Sequence, residues 1–151
     1  MDLEVPQQPA GLPPDPPAII ETMTALPYDK EDTHEKLLAA LMIVESNGDL
    51  FAIGDKHLTA KAYGPLQIRQ PAVTDVNNRF GTDFRAEDML GNLELSKWVF
   101  RRYMDIYATE TRLGREVTDR DRARIWNGGP NAWKTKGTAA VYWEAVRKVL
   151  A

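Results

Sequence analysis

The sequence contains no cysteine and only two histidines, His34 and His57. Without cysteine the chain cannot form a disulfide scaffold, a Cys-ligated zinc site, an iron–sulfur cluster or a thiol nucleophile. Two histidines leave little for a His-built metal centre, and we expect no metal and no cofactor. No apolar run approaches the ~18 residues that a membrane-spanning helix needs, so the sequence predicts no transmembrane segment.

Neither sign of charge dominates the sequence. It carries 22 acidic and 19 basic side chains, for a formal net charge of −3. Seven of the acids but a single base, Lys30, fall in residues 1–34, so the rest of the chain has a small positive excess. That excess is too small and too scattered to indicate a nucleic-acid partner. It is compatible with an anionic polymer such as a cell-wall glycan.

Proline is concentrated at the start of the chain, where seven of the ten prolines lie within the first 27 residues. Proline removes backbone donors and fixes φ, so residues 1–32 are predicted to form an acidic, extended leader or tether. This segment lacks the basic start and apolar core of a signal peptide. Either the chain is not exported by that route, or it is a mature form whose own leader was replaced by Met1.

From Thr33 onward, apolar residues recur with the three- and four-residue spacing of amphipathic helices. The first helix is predicted to begin at an Asp32 or Thr33 cap, with capping-box spacing from Asp32 to Glu35, and to stop at Asn47-Gly48. Further helices are predicted from Pro71 to Gly81, from Asn92 to about Thr109, from Thr118 to Trp126, and from about Thr138 onward. The side chains predicted to face inward from the second and last helices include Phe80, Val141, Tyr142, Ala145, Val146 and Val149.

The remaining segments lack this helical spacing. Leu50 to Ile68 is predicted to form short extended pieces around a turn at Gly54-Asp55, and Asn127 to Asn131 is a loop by composition. Residues 33–151 therefore predict one mostly helical α+β domain with one small β-hairpin.

Glu45 lies on the apolar face of the first helix, one turn beyond Leu41, where an aliphatic side chain is expected. Burial raises the pKa of a carboxyl group, and the negative end of the helix dipole acts in the same direction. No Lys or Arg lies within four positions of Glu45 to offset these effects. Such a group stays protonated near neutral pH and can act as a general acid. The alternative is a helix-end glutamate that turns toward solvent.

Asp55 follows Gly54 in the predicted turn, a solvated position that favours the ionised carboxylate. A protonated and an ionised carboxyl group on either side of a cleft form the pair that glycoside hydrolysis requires. The alternative is an ordinary turn aspartate with no chemical role.

Five short blocks share their order and approximate spacing with one protein family. They are Glu45-Ser46-Asn47-Gly48, Gly64-Pro65-Leu66-Gln67-Ile68, Arg101 to Thr109, Ala123 to Asn131, and Tyr142-Trp143. In these blocks the chain resembles the invertebrate-type (destabilase-type) lysozymes, and more distantly the soluble (SLT) lytic transglycosylases. The resemblance implies a lysozyme-like fold and cleavage of the β-1,4 bond between N-acetylmuramic acid and N-acetylglucosamine. It also implies peptidoglycan strands as the partner, a monomer, and a secreted or cell-envelope (periplasmic) location.

The resemblance gives roles to the matching positions. Glu45 corresponds to the general acid and base, and Asp55 to the nucleophile or transition-state stabiliser, although an insertion in the hairpin changes the spacing around Asp55. The candidate substrate-binding residues are Ser46, Tyr63, Gln67, Trp126, Asn127 and Tyr142. Tyr63 and Trp126 are candidates for stacking on sugar rings, with core packing as the alternative. The glycines Gly64 and Gly128-Gly129 are predicted to let the backbone approach a polysaccharide.

The chain departs from the invertebrate-type family in three ways. It lacks the cysteines in which that family is usually rich, it has Trp126 where the family often has His, and its acidic leader is not part of the family's core. Two other functions stay open. A lytic transglycosylase needs only one acid/base carboxyl group and releases 1,6-anhydromuramic products, whereas a glycan-binding module would hold the wall without cutting it.

Overall fold

The computed structural model describes residues 33–135 and 137–151, so the predicted leader at residues 1–32 lies outside the described residues. Within them the chain forms six α-helices, two 3₁₀ helices and one two-stranded sheet. The elements in chain order are α1 (Glu35–Ser46), β1 (Ile53–Gly54), β2 (Ala62–Tyr63), α2 (Gln70–Phe80), a 3₁₀ helix (Ala86–Met89), α3 (Leu93–Tyr107), α4 (Glu110–Leu113), α5 (Asp119–Gly128), a 3₁₀ helix (Ala132–Lys134) and α6 (Thr138–Leu150). The predicted α+β class, mostly helical with one small hairpin, is confirmed.

The end of α1 is closed as the sequence predicts. Asn47 takes a left-handed conformation with φ 54°. The N–H groups of Asn47 and Gly48 donate to the carbonyl groups of Ile43 and Met42. These bonds satisfy the last carbonyls of the helix, so α1 stops one residue after Glu45.

The start of α1 differs from the predicted capping box. The N-cap position is His34, which has φ 62° and makes no side-chain cap. Glu35 instead pairs with Lys97 and with the buried guanidinium of Arg101, which also donates to the carbonyl oxygen of Thr33. A long-range ion pair to α3 therefore anchors this helix where a local cap was expected.

A single apolar core is shared by the helices and the segment after β2. Its buried side chains are Leu37, Leu38, Ala40, Leu41, Leu66, Ile68, Val73, Val76, Ala86, Met89, Leu95, Trp98, Val99, Phe100, Tyr103, Met104, Leu113, Ala123, Ile125 and Val146. Helix α6 packs against both α1 and α5. This packing brings the last helix to the end of α1, where Glu45 lies. None of the described helices is both long and apolar enough to cross a membrane.

The predicted inner face of α6 is partly wrong. Val146 is buried, but Val141 and Val149 are exposed, at 72% and 39%, and Ala145 is also exposed. The buried side is rotated toward Ala139, Val146 and the partly buried residues Tyr142, Trp143 and Leu150. The spacing of the valines predicts a stripe rotated away from the observed one, because the large side chains of Tyr142 and Trp143 pack against the core and leave Val141 and Val149 outside.

Phe80 is also more exposed than predicted. It is the last residue of α2 and keeps 39% of its surface in solvent. Its ring packs edge-on against Trp98, with centroids 6.3 Å apart, and the guanidinium of Arg102 lies 5.9 Å from the ring centre. Phe80 therefore covers the edge of the core, and the arginine shields part of its outer surface.

Candidate active site

The hairpin places Asp55 at one side of the site. Ile53 pairs with Tyr63 and Gly54 pairs with Ala62 in the antiparallel sheet, and Asp55 follows directly with φ 53°. The Asp55 carbonyl oxygen accepts the N–H of Leu58 at 2.9 Å, which closes the predicted turn. The side chain of Asp55 stays 42% exposed, as the sequence predicts for a turn position.

The Glu45 carboxyl group is half-buried and hydrogen-bonded. The Tyr142 hydroxyl group donates to Glu45 Oε2 at 2.7 Å. Burial raises the pKa of Glu45 to about 7; the hydrogen bond from Tyr142 and the charge of Arg69 oppose this rise, and the charge of Asp55 adds to it. A carboxyl group with this pKa is protonated in a large fraction of molecules at neutral pH, as a general acid must be.

The Tyr142 hydroxyl group is itself a fixed donor. Burial and the neighbouring Glu45 both raise the pKa of Tyr142, so it keeps its proton throughout the physiological range. It thereby holds one oxygen of Glu45 and leaves the other for a ligand. Of the candidate residues, Tyr142 is placed to orient the acid.

A cavity of about 270 Å³ lies between the β-hairpin and the helices. Its lining brings together five of the eight candidate residues: Glu45, Asp55, Gln67, Trp126 and Asn127. Arg69, Tyr103, Ala62, Ile68, Pro71 and Ala72 complete the lining. Two carboxyl groups, an amide-bearing wall and an aromatic surface therefore face one space, which suits a carbohydrate better than an apolar ligand.

Gln67 is held rigidly at this cavity. Its backbone has φ 53°, and its side-chain nitrogen donates to the carbonyl groups of Gly64 (3.0 Å) and Ala52 (3.3 Å). A Cβ at Gly54 would lie 2.0 Å from Gln67 Oε1, so a larger residue there would displace this amide. The glycine before Asp55 thus leaves room for the observed position of the Gln67 amide.

Packing within the chain accounts for two of the three glycines that were predicted to approach a polysaccharide, Gly64 and Gly128. Gly64 has φ 81°, and a Cβ there would lie 2.7 Å from the Met89 carbonyl oxygen. A Cβ at Gly128 would lie 2.7 Å from that of Ala132. Both glycines let neighbouring elements approach each other.

Ser46 and Tyr63 are not brought into the cavity lining. The Ser46 hydroxyl group lies within hydrogen-bonding distance of two carbonyl oxygens, that of Pro65 at 2.8 Å and that of Met42 at 3.2 Å. Ser46 therefore ties the end of α1 to the segment that carries Gln67. Tyr63 is half-buried and packs against the core. The sugar contacts predicted for Ser46 and Tyr63 stay predictions.

The second wall of the cavity comes from α5. This helix continues to Gly128, so Asn127 lies in its last turn and not in the predicted loop. Trp126 packs edge-on against Phe100 and Tyr103, with centroids 5.0 and 5.5 Å apart, and still lines the cavity. Trp126 therefore both packs against the core and lines the cavity.

Two cavity residues are missed by the sequence reasoning. Tyr103 is predicted only as part of the α3 stripe; burial raises its pKa to about 12. Arg69 pairs with Asp55 and follows directly after the Gly64-to-Ile68 block. The sequence did carry a signal for Arg69, because this cation directly follows a block of residues predicted to form the site.

Comparisons with known proteins identify the fold. No model of a protein family matches the chain, and no curated protein matches it. The crystal structure of Tapes japonica lysozyme superposes with a TM-score of 0.63 at 23% identity, covering 76% of this chain and 88% of that one. A chain of the complex of Meretrix lusoria lysozyme with Aeromonas hydrophila PliI gives 0.63 at 21% identity, and inhibitor-bound Meretrix lusoria lysozyme gives 0.58 at 23%, both with the same coverages.

These likenesses establish a lysozyme-like fold. Within that class the structural neighbours are lysozymes of invertebrates, which confirms the predicted resemblance at the level of the fold. Because identity is below a quarter, the activity of this chain has to be argued from its own site.

Proposed function

We propose that this chain is a glycoside hydrolase that cleaves the β-1,4 bond between N-acetylmuramic acid and N-acetylglucosamine in peptidoglycan. The observation that carries the proposal is Glu45, a half-buried carboxyl group with a pKa raised to about 7, in a cavity that it shares with Asp55. A protonated acid and a second carboxylate facing one space are the two groups that this reaction uses. The lysozyme-like fold adds support.

In the proposed mechanism Glu45 gives its proton to the bridging oxygen as the glycosidic bond breaks. Asp55 attacks the anomeric carbon or stabilises the positive charge that develops there. Glu45, now ionised, then takes a proton from the water that completes hydrolysis. In this mechanism Tyr142 holds Glu45 in place through both steps, since its hydroxyl group donates to Oε2 and a carboxyl group can accept a hydrogen bond whether protonated or ionised.

The remaining parts of the proposal concern the substrate and its setting. Gln67 and Asn127 offer amide groups for sugar hydroxyls, and Trp126 offers an aromatic surface for a sugar ring. The small positive excess outside residues 1–34 suits an anionic glycan. With this substrate, the protein is proposed to act as a monomer, either in the cell envelope or outside the cell.

One observation favours a second candidate, a lytic transglycosylase. The Asp55 carboxylate is engaged by Arg69, so the site is also consistent with a mechanism that uses Glu45 alone. In that reaction the 6-hydroxyl of the muramic residue replaces water at the anomeric carbon.

Product analysis on purified peptidoglycan distinguishes these reactions. Mass spectrometry of muropeptides released by the wild type is expected to show reducing, hydrated ends. Asp55→Asn is expected to lower their rate of release by about 10²-fold, because the transition-state charge loses its carboxylate. Anhydro ends with Asp55→Asn fully active would establish the transglycosylase, and binding to peptidoglycan with no release of muropeptides would contradict both enzymes in favour of a glycan-binding module.

A further inference from the structure

The loop from Asp55 to Lys61 carries a candidate catalytic carboxylate but has little burial to fix it. Residues 55–59 are all exposed. The turn bond from the Leu58 N–H to the Asp55 carbonyl oxygen orders its first half. The chain has no cysteine to cross-link such a loop. A carboxylate that attacks or stabilises an anomeric carbon nevertheless needs a defined position.

Arg69 spans this loop. Its Nη2 pairs with Asp55 Oδ2 and its Nη1 donates to the Ala60 carbonyl oxygen. The planar guanidinium thus holds the first residue of the loop and one near its end at a fixed separation, which a lysine could not do with the same geometry.

The backbone of Arg69 is anchored in the folded core. Ile68, the preceding residue, is buried and exchanges two backbone hydrogen bonds of 2.9 Å with Tyr63. The Arg69 carbonyl oxygen accepts the N–H of Val73 at the start of α2. The guanidinium therefore connects an exposed loop to a rigid part of the domain.

We propose that Arg69 is a positioning residue that fixes the hairpin loop and aims the Asp55 carboxylate into the cavity opposite Glu45. This inference rests on the proposed function for its catalytic meaning. Arg69 and Asp55 are 37% and 42% exposed, and ion pairs this open contribute little to stability. The ion pair is thus expected to fix the position of the Asp55 carboxylate and to add little to the stability of the fold.

Arg69 also acts on the acid across the cavity. Among the described residues, the charged and titratable groups that act on Glu45 are Tyr142 from α6, Arg69 at the N-cap of α2 and Asp55 from the hairpin. The charge of Arg69 lowers the pKa of Glu45, and the charge of Asp55 raises it. Removing Arg69 should therefore raise the pKa of Glu45, and removing the charge of Asp55 should lower it.

The test compares Arg69→Gln and Arg69→Lys with Arg147→Gln as a matched control. Arg147 pairs with Glu144 on an exposed face of α6, with exposures of 52% and 56%. We expect Arg69→Gln to lower kcat at least about tenfold, with KM changed less than about twofold and the melting temperature within about 4 °C of wild type. Arg69→Lys should restore kcat in part, Arg147→Gln should match wild type, and Arg69→Gln should add no further loss to Asp55→Asn.

Two measurements on the full chain do not depend on turnover. NMR titration should show a higher Glu45 pKa in Arg69→Gln and a lower one in Asp55→Asn. Hydrogen exchange of the Leu58 amide should quicken about tenfold in Arg69→Gln and stay unchanged in Arg147→Gln.

These measurements separate the inference from the proposed function. If the wild type cleaves no glycan, the proposed function fails, and the titration and exchange results alone decide whether Arg69 fixes the loop. An Arg69→Gln variant with wild-type exchange at Leu58 and wild-type titration of Glu45 would overturn the inference. So would an active wild type whose Arg69→Gln variant keeps its kcat. A merely structural role would be shown if Arg69→Gln melted far below wild type and Arg69→Lys regained stability and full kcat together.

Discussion

Glu45→Gln is expected to lower the rate of peptidoglycan cleavage by at least about 10³-fold. Glutamine has nearly the same shape and can still accept the hydrogen bond from Tyr142, but it has no proton to give to the leaving oxygen. Cleavage is measured by the clearing of a cell-wall suspension and by released reducing ends. Binding of the variant to peptidoglycan should remain.

The matched control for this variant is Glu144→Gln. Glu144 is exposed on α6 and pairs with Arg147, so the same chemical change occurs outside the cavity. It should cleave at the wild-type rate. A Glu45→Gln variant that keeps a tenth or more of wild-type activity would show that another group supplies the proton.

The same substitution is expected to stabilise the fold at alkaline pH. The pKa of Glu45 is about 7 in the folded chain and 4.5 for an unperturbed glutamate. Between these values the unfolded chain has lost a proton that the folded chain retains, so stability falls as pH rises through this window. Glutamine avoids that loss. Glu45→Gln should therefore match wild type near about pH 4 and exceed it by up to about 3 kcal/mol above about pH 8.

Urea unfolding at a series of pH values measures this difference. The free energy of unfolding of Glu144→Gln should follow wild type across the series, apart from the small effect of an exposed ion pair. A stability difference between wild type and Glu45→Gln that does not change with pH would mean that Glu45 titrates normally. Burial would then place no free-energy cost on ionising the Glu45 carboxyl group.

The helices could be predicted because their signals are local. Apolar spacing and an Asn-Gly stop defined α1, and Asn92 caps α3 by accepting the Leu95 N–H at 3.1 Å, where the sequence placed the start. Glu45 stood out for the same reason, since a carboxyl group that continues an apolar stripe breaks a local pattern. Its partner Tyr142 came from the family resemblance, because 97 residues separate the two and no local pattern links them.

What the sequence could not supply were contacts between distant segments. The Ser46 hydroxyl group donates to the Pro65 carbonyl oxygen, a contact that depends on how α1 packs against the segment that follows β2. Arg69 reaches Asp55 only because the strand pairing folds the loop back over the start of α2. The rotation of α6 about its axis was likewise set by packing on α1 and α5. In each case the local spacing of residues allows several arrangements, and tertiary packing determines which of them forms.

The predicted loop at Asn127 shows how a composition signal can mislead. Asn-Gly-Gly-Pro favours a loop, yet the helix ends only at Gly128 and is followed by the capping residue Gly129, which has φ 96°. Gly128 is tolerated inside the last turn because Ala132 packs against the position of its missing side chain. Asn127 consequently reaches the cavity from a helix, which is a more rigid support than a loop.

Direct titration of the Glu45 side chain tests the central claim, that burial raises the pKa of this carboxyl group enough to keep a large fraction of it protonated in neutral solution. The carboxyl carbon of Glu45 in ¹³C-labelled full-length protein, assigned by its absence in Glu45→Gln, is followed by NMR from about pH 3 to about pH 9. We predict a midpoint of about 7, compared with 4.5 for an unperturbed glutamate. A midpoint at that unperturbed value would contradict the claim and remove the acid from the proposed mechanism.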